Sequence, residues 1–133
     1  MGKFYTSVIP YGDTILHRGV DENGERFSHR ESFSPRFYVP AKSKTKFRSL
    51  EGQYLDEVSF GGISDARDFI KRYNNVPNFE IFGNIDYVYQ FIGDTYAGEV
   101  EYDLDKVVIA FIDIETTCEL GFPDVRNPEE QIN

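Results

Sequence analysis

The first forty residues read as short antiparallel strands separated by turn signals. Phe4-Tyr5-Thr6-Ser7-Val8-Ile9 is rich in β-branched and aromatic side chains, and Gly12-Asp13 punctuates it before Thr14-Ile15-Leu16. Asp21-Glu22-Asn23-Gly24 supplies a tight turn, because Asn-Gly tolerates the positive φ angles that a hairpin demands. In the run from Glu25 to Phe33, Phe27 and Phe33 fall on one face at period two. Ser34-Pro35 breaks that run, and Arg36-Phe37-Tyr38-Val39, closed by Pro40, reads as one more short strand. The pattern predicts a β-meander.

Past a stretch of middle loops the period changes to that of a helix. Ala66, Phe69, Ile70 and Tyr73 recur at i, i+3, i+4 and i+7, which gives one apolar stripe suited to packing on a sheet. Ser64 is the expected N-cap. Asp65 and Asp68 follow in the first turn, Lys71 and Arg72 in the last, and Asn74-Asn75 with Pro77 ends the helix. Between residues 78 and 105 the pattern is mixed. Phe79, Ile81 and Phe82 suit a short strand, and Tyr87 to Ile92 a short helix or strand. Lys106 then introduces Val107-Val108-Ile109-Ala110-Phe111-Ile112, an unbroken apolar run of the kind that forms a strand buried on both faces. From Gly121 onward, with Pro123 and Pro128, the chain reads as loop. There is no internal repeat and no low-complexity tract.

Composition narrows the classes. Of 133 residues, 40% are hydrophobic and 16% aromatic, enough for a core and too many for a disordered chain. No apolar run approaches the roughly 18 residues of a membrane span, and the N-terminus has no signal-peptide pattern. A single cysteine, Cys118, cannot form an internal disulfide, which fits a reducing, cytoplasmic setting. Cys118 has no basic neighbour to activate it and reads as a plain thiol. His17 and His29 sit in predicted strands without a nearby nucleophile, and neither is given a catalytic role. Gly61-Gly62 lacks the lysine or glycine spacing of a phosphate loop and reads as a turn.

Charge is unevenly spread along the chain. The net charge of −9 divides into +2 for residues 1–76 and −11 for residues 77–133. The acidic half is a poor surface for a phosphate backbone unless cations intervene, and suits divalent-metal binding better. The near-neutral half holds one basic island: Arg36, Lys42, Lys44, Lys46 and Arg48, interleaved with Phe37, Tyr38 and Phe47. Cations mixed with aromatic rings can hold single-stranded nucleic acid through phosphate contacts and base stacking. The competing reading is a strand with one ring buried, followed by a solvated lysine loop.

The apolar run ends in Asp113-Ile114-Glu115-Thr116. On a strand, positions i and i+2 share a face, so both carboxylates project together. Oxygen ligands of this kind suit Mg²⁺ or Mn²⁺, and paired ions can activate water for phosphodiester cleavage. Two carboxylates are too few for a full two-metal site. Asp-x-Glu alone also fits a pair of solvated acids at a strand end, and Glu119 and Asp124 nearby suit a solvated loop.

Val108 to Thr116, followed by Gly121-Phe122-Pro123, closely resembles the first exonuclease motif of family B DNA polymerases. The remainder resembles the N-terminal region of replicative polymerases from T-even-like bacteriophages. Asp21-Glu22-Asn23-Gly24 with Arg26 matches its opening, Asp65-Ala66-Arg67-Asp68 leading to Lys71-Arg72 its helix, and Asp94-Thr95-Tyr96 with Glu99, Tyr102 and Asp103 the segment before the exonuclease. The resemblance implies an α+β fold: an antiparallel β-meander with a packed helix over residues 1–105, then the first strand of a ribonuclease H-like 3′–5′ exonuclease domain, truncated, over 106–133. It also implies a fragment, since family members are many times longer and the downstream exonuclease and polymerase motifs are absent. Asp113 and Glu115 would be metal-binding carboxylates of the proofreading site, with Mg²⁺ or Mn²⁺, and insufficient alone. The implied partners are DNA, with RNA as a second candidate, and the rest of the polymerase, in the cytoplasm of an infected host and without a membrane. Two alternatives stand beside this: a module that complements a separately encoded polymerase remainder, and a small metal-dependent nuclease.

Overall fold

A computed structural model describes residues 2–114. The described residues form two three-stranded antiparallel sheets and two α-helices. The first sheet is the expected meander: β1 (Phe4–Tyr11), β2 (Thr14–Val20) and β3 (Arg26–Glu31), paired in that order. Its second turn closes as the Asn-Gly signal predicts. Asp21 Oδ1 accepts from the amides of Asn23 and Glu25 at 2.9 Å each, and Gly24 takes φ +80°. An irregularity at Thr6 interrupts the β1–β2 register between Tyr5 and Ser7.

Central strand β2 turns Ile15, His17 and Gly19 inward, and all three are buried. Gly19 is a close-approach site. A Cβ there would lie 2.2 Å from the Phe4 carbonyl oxygen and 2.7 Å from the Phe27 ring, so only glycine lets β1 and Phe27 close over this position.

The second sheet corrects the meander. β4 (Arg36–Pro40) is not its fourth strand. It pairs instead with β6 (Tyr54–Ser59), which also pairs with the two-residue β5 (Phe47–Arg48), giving the order β4-β6-β5. Pro35 cannot donate to a ladder, so the chain leaves the first sheet at Ser34-Pro35, and the buried Pro35 gives its carbonyl to Phe60 N. The stretch expected as middle loops thus contains β5 and β6. The strand expected around Phe79–Phe82 reduces to one bridge, in which Tyr38 and Phe82 exchange backbone hydrogen bonds of 2.9 and 2.7 Å beside β4.

Helix α1 (Ile63–Tyr73) follows the predicted stripe, with Ile63 and Ala66 buried and Phe69, Ile70 and Tyr73 half-buried. Its cap differs from the expectation. Gly62, not Ser64, is the N-cap and brings no side-chain bond; Asp13, from the β1–β2 turn, accepts the Ser64 amide at 2.7 Å through Oδ1. That backbone hydrogen bond is the main reason the Asp13 carboxyl lies below the usual carboxylate range. Ser64 is therefore the recipient of the cap rather than its source.

Helix α2 (Tyr87–Thr95) starts at Asp86, whose carboxylate accepts the Val88 amide. Phe91 of α2 joins Ile15 of β2 and Ile63 of α1 in the core, with Val8, Phe33, Tyr87 and Val88 around them. A second line of contact runs through Phe37, Phe60, Phe69, Tyr73 and Phe79, whose successive ring centroids lie 4.8–5.5 Å apart and tie α1 to the second sheet.

After a 3₁₀ turn at Leu104–Lys106, residues 107–114 form no strand. Val108, Phe111 and Ile112 are 73, 94 and 84% exposed, where a strand buried on both faces was expected. Such a strand needs a hydrogen-bonding neighbour at its edges and a packed layer on each face, and among the described residues this segment pairs with no strand. Among them, too, no helix is long and apolar enough to cross a membrane.

Candidate nucleic-acid interface

Of the five cations of the basic island, Arg36 is engaged in an ion pair, Arg48 edges a groove, and Lys42, Lys44 and Lys46 are exposed. Arg36, on β4, is held at both its guanidinium and its backbone. Its guanidinium makes two hydrogen bonds to the Asp94 carboxylate on α2, 2.7 and 2.8 Å long. This fork raises the Arg36 pKa and lowers that of Asp94. Its backbone is clasped by Gln90, one helical turn before Asp94: the Arg36 amide donates to Gln90 Oε1 at 3.0 Å, and Gln90 Nε2 donates to the Arg36 carbonyl at 2.8 Å. The Gln90 amide takes the place of a neighbouring strand. Arg36 therefore anchors α2, and a phosphate would compete with Asp94 for its guanidinium.

Lys42 and Lys44 lie exposed in the connection from β4 to β5, and among the described residues neither has an ion pair. Thr45 fixes that connection by donating its hydroxyl to the Leu55 carbonyl at 2.5 Å. Lys46 sits with Nζ 4.9 Å from the Phe47 ring centre. Arg48 lies 4.5 Å over Tyr54 and donates to its hydroxyl at 2.6 Å. Tyr38 and Phe47 pack at 4.9 Å, tilted by 58°, and with Leu55 and Phe82 they floor a groove of about 380 Å³ edged by Arg48 and Leu50. Leu50 at the hairpin tip is fully exposed. The Tyr38 hydroxyl donates to Glu57 at 3.1 Å, and burial keeps this phenol above its ordinary pKa. An apolar floor with a basic residue, Arg48, at its edge can take a flat ring and hold an adjacent phosphate.

Of the predicted carboxylate pair, only Asp113 falls among the described residues. Asp113 is exposed, lies on no strand, and accepts the Ile114 amide at 2.9 Å. Glu115, like Cys118, Glu119, Asp124 and the loop expected from Gly121, lies outside the described residues. Among those described, no cluster of three or more His, Cys, Asp or Glu could hold a metal ion.

His17 is the side chain that sequence reasoning undervalued. It is completely buried, with Nδ1 3.3 Å from Glu31 Oε1 on β3 and Nε2 2.7 Å from the Tyr96 hydroxyl just past α2. Phe27, Phe91 and Tyr96 meet its ring edge-on at 4.8, 5.3 and 5.6 Å. Burial pushes the imidazole below its ordinary value of 6.5, against the opposing pull of Glu31. Burial, then the Glu31 charge, pushes the Tyr96 phenol up to about 12. A neutral imidazole beside an ionised carboxylate carries its proton on Nδ1, so Nε2 accepts from Tyr96. The arrangement joins three parts of the chain and has no nucleophile. The available signal was the alternation that sends Ile15, His17 and Gly19 to one side of β2.

No protein-family model matches the chain. Among curated proteins it is similar to the DNA-directed DNA polymerase of Enterobacteria phage T4, 32% identical over 133 residues, and to that of Escherichia phage RB69, 30% identical over 135 residues. Both alignments take in the whole of this chain and 15% of the relative. Over its full length, then, the chain matches an N-terminal fragment of a T4-like phage DNA polymerase, which bears out the resemblance its residues carry.

Proposed function

We propose that the chain serves as the N-terminal part of a family B replicative DNA polymerase, a nucleotidyltransferase with a proofreading exonuclease, acting in the cytoplasm of the infected host. The observation that carries this reading is the whole-length similarity to two phage DNA polymerases. Within such an enzyme residues 1–105 form a binding and scaffolding unit, and residues 106–133 begin the exonuclease. Asp113 and Glu115 would there join carboxylates from the rest of the polymerase to hold Mg²⁺ or Mn²⁺. This chain alone is expected to lack nuclease activity, since two carboxylates do not complete a two-metal site.

Its own contribution is contact with single-stranded DNA. Lys42, Lys44, Lys46 and Arg48 supply the phosphate contacts, and the Tyr38–Phe47 groove supplies the flat apolar floor. The relatives' names speak for DNA and give no support for RNA. A titration of the purified chain with short single-stranded DNA at low and moderate salt tests the reading. Four cations give a salt slope of at most about 2.8 at roughly 0.7 per phosphate, and changing Lys42, Lys44 and Lys46 to alanine should flatten most of it. No binding at low salt, or a slope unchanged in that variant, would reject the interface.

A further inference from the structure

We propose that the outward face of the first sheet is a second nucleic-acid surface, on which Arg18, Arg26 and Arg30 hold the phosphate backbone of duplex DNA. The three arginines form no run in the sequence, and the β2–β3 register gathers them. Arg18 stands opposite Ser28, and Arg26 and Arg30 lie two positions to either side of Ser28 on β3, so all three share one face. Diagonal neighbours of this kind sit ~7–8 Å apart, and Arg26 and Arg30 are separated by roughly 13 Å along the strand. This is the face turned away from Ile15 and His17, and all three arginines are exposed on it. Arg18 Nε donates to Ser28 Oγ at 3.4 Å, and the Arg30 guanidinium lies 4.3 Å from the centre of the Tyr11 ring. Among the described residues none of the three has an ion pair. At the Arg26 end Lys106 adds a fourth cation, bordering with Arg26, Thr6 and Val20 a small cavity of about 140 Å³.

Like charges gathered on one sheet face repel one another, so the cluster points to an anion supplied from outside. The acids nearby in sequence are committed elsewhere. Glu31 faces inward to His17, Asp21 Oδ1 accepts the turn amides, and Asp13 caps α1; Glu22 and Glu25 lie in the turn beyond Arg26. The occupant follows from the chemistry. Guanidinium groups match phosphate oxygens two at a time, and the ~13 Å from Arg26 to Arg30 spans about four phosphates of one strand at roughly 3.4 Å each. Tyr11, an exposed ring on this face, is already covered by Arg30, so the face offers charge rather than stacking, the converse of the Tyr38–Phe47 groove. A duplex has its bases stacked on one another, needs only the charge, and presents twice the phosphate density of a single strand. Taking DNA as the polyanion rests on the polymerase reading above.

Titration of the full chain with a short blunt DNA duplex at several salt concentrations, read by fluorescence anisotropy, tests this surface. Three phosphate contacts give a slope of about 2.7 in log affinity against log salt at roughly 0.9 each. Arg18→Gln with Arg26→Gln and Arg30→Gln should remove that much of the slope and weaken duplex binding at low salt at least about tenfold, whereas Arg18→Lys with Arg26→Lys and Arg30→Lys should keep the slope. The glutamine variant should hold single-stranded DNA as the parent does, and the Lys42, Lys44 and Lys46 alanine variant should hold the duplex. Loss of single-strand binding alone would therefore reject the groove, and loss of duplex binding alone would reject this face. Circular dichroism matching the parent shows that the variants fold. No duplex binding at low salt, a slope unchanged in the glutamine variant, equal loss of single-strand and duplex binding in it, or displacement of the duplex by polyglutamate more readily than by unlabelled duplex would each overturn the proposal. The last result would assign the face to an acidic protein surface.

Discussion

Removing one oxygen atom, in Tyr96→Phe, should cost far more than the loss of an average surface hydrogen bond. His17 has no exposed surface, and the Tyr96 hydroxyl at 2.7 Å is the partner of its Nε2. Without it, the ring either leaves a buried lone pair unmatched or moves its proton to Nε2 and turns a bare nitrogen toward the Glu31 carboxylate. An unmatched buried acceptor costs about 1–3 kcal/mol. For a chain of this size that is roughly 3–5 °C of melting temperature per kcal/mol. Urea unfolding at pH 7.5, followed by far-ultraviolet circular dichroism, reads the difference. A second arm removes both polar partners: His17→Leu with Tyr96→Phe should recover part of the loss, because the unmatched acceptor goes with its donor. The pH dependence follows from the same burial. The native imidazole is depressed below 6.5, so the unfolded chain binds more protons in the window just under that value. This contribution is fully present above pH 6.5 and is lost as pH falls through the depressed native value. A Tyr96→Phe cost below about 0.5 kcal/mol, or stability flat from pH 7.5 down to 5, would refute the argument that His17 is a neutral, doubly bonded tie.

Other consequences concern packing, capping and charge. Gly19→Ala should destabilise the chain by about 1–3 kcal/mol or more, measured by the same urea titration, because the new methyl meets a backbone oxygen rather than a movable side-chain end. Asp13→Ala should speed amide hydrogen exchange in the first turn of α1, at Ser64 above all, while leaving the centre of the helix protected. The Asp13 carboxyl is depressed below 3.8, so its contribution is present above that pH and disappears as the carboxylate is protonated below it. Arg36→Ala should lower stability and leave the salt slope of DNA binding nearly unchanged, whereas the Lys42, Lys44 and Lys46 alanine variant should do the reverse. Equal effects of the two variants on binding would return Arg36 to the interface.

What could be read in advance was what is written locally. The Asn23-Gly24 turn, the strands around it and the stripe from Ala66 to Tyr73 each depend on neighbours within a few positions, and all three formed. The second sheet is made of pieces that carry little pattern: β5 has two residues, and β6 mixes Tyr54, Leu55 and Val58 with exposed Asp56 and Glu57. Contacts of long sequence separation left no local trace. Asp13 caps a helix 51 positions away, and His17 finds Tyr96 at a separation of 79. For the candidate interface, the island was visible as a charge run, but nothing in the spacing marks Arg36 as the member taken by Asp94. The run from Val107 shows the opposite failure, since an apolar segment declares a wish for burial without naming the surface that would grant it.

Gln90 and Phe91 are adjacent on α2, yet one grips the backbone of β4 and the other enters the core beneath β2. Successive helical positions diverge by about 100°, so a small rotation of α2 that relieved either contact would spoil the other. The two sheets share no strand, but they share this helix, and its register is fixed from both sides. Melting should accordingly proceed as one cooperative step, with both sheets lost together. A change as remote as Asp94→Asn should be felt as lower protection at Ile15, on the far side of the molecule's chain order.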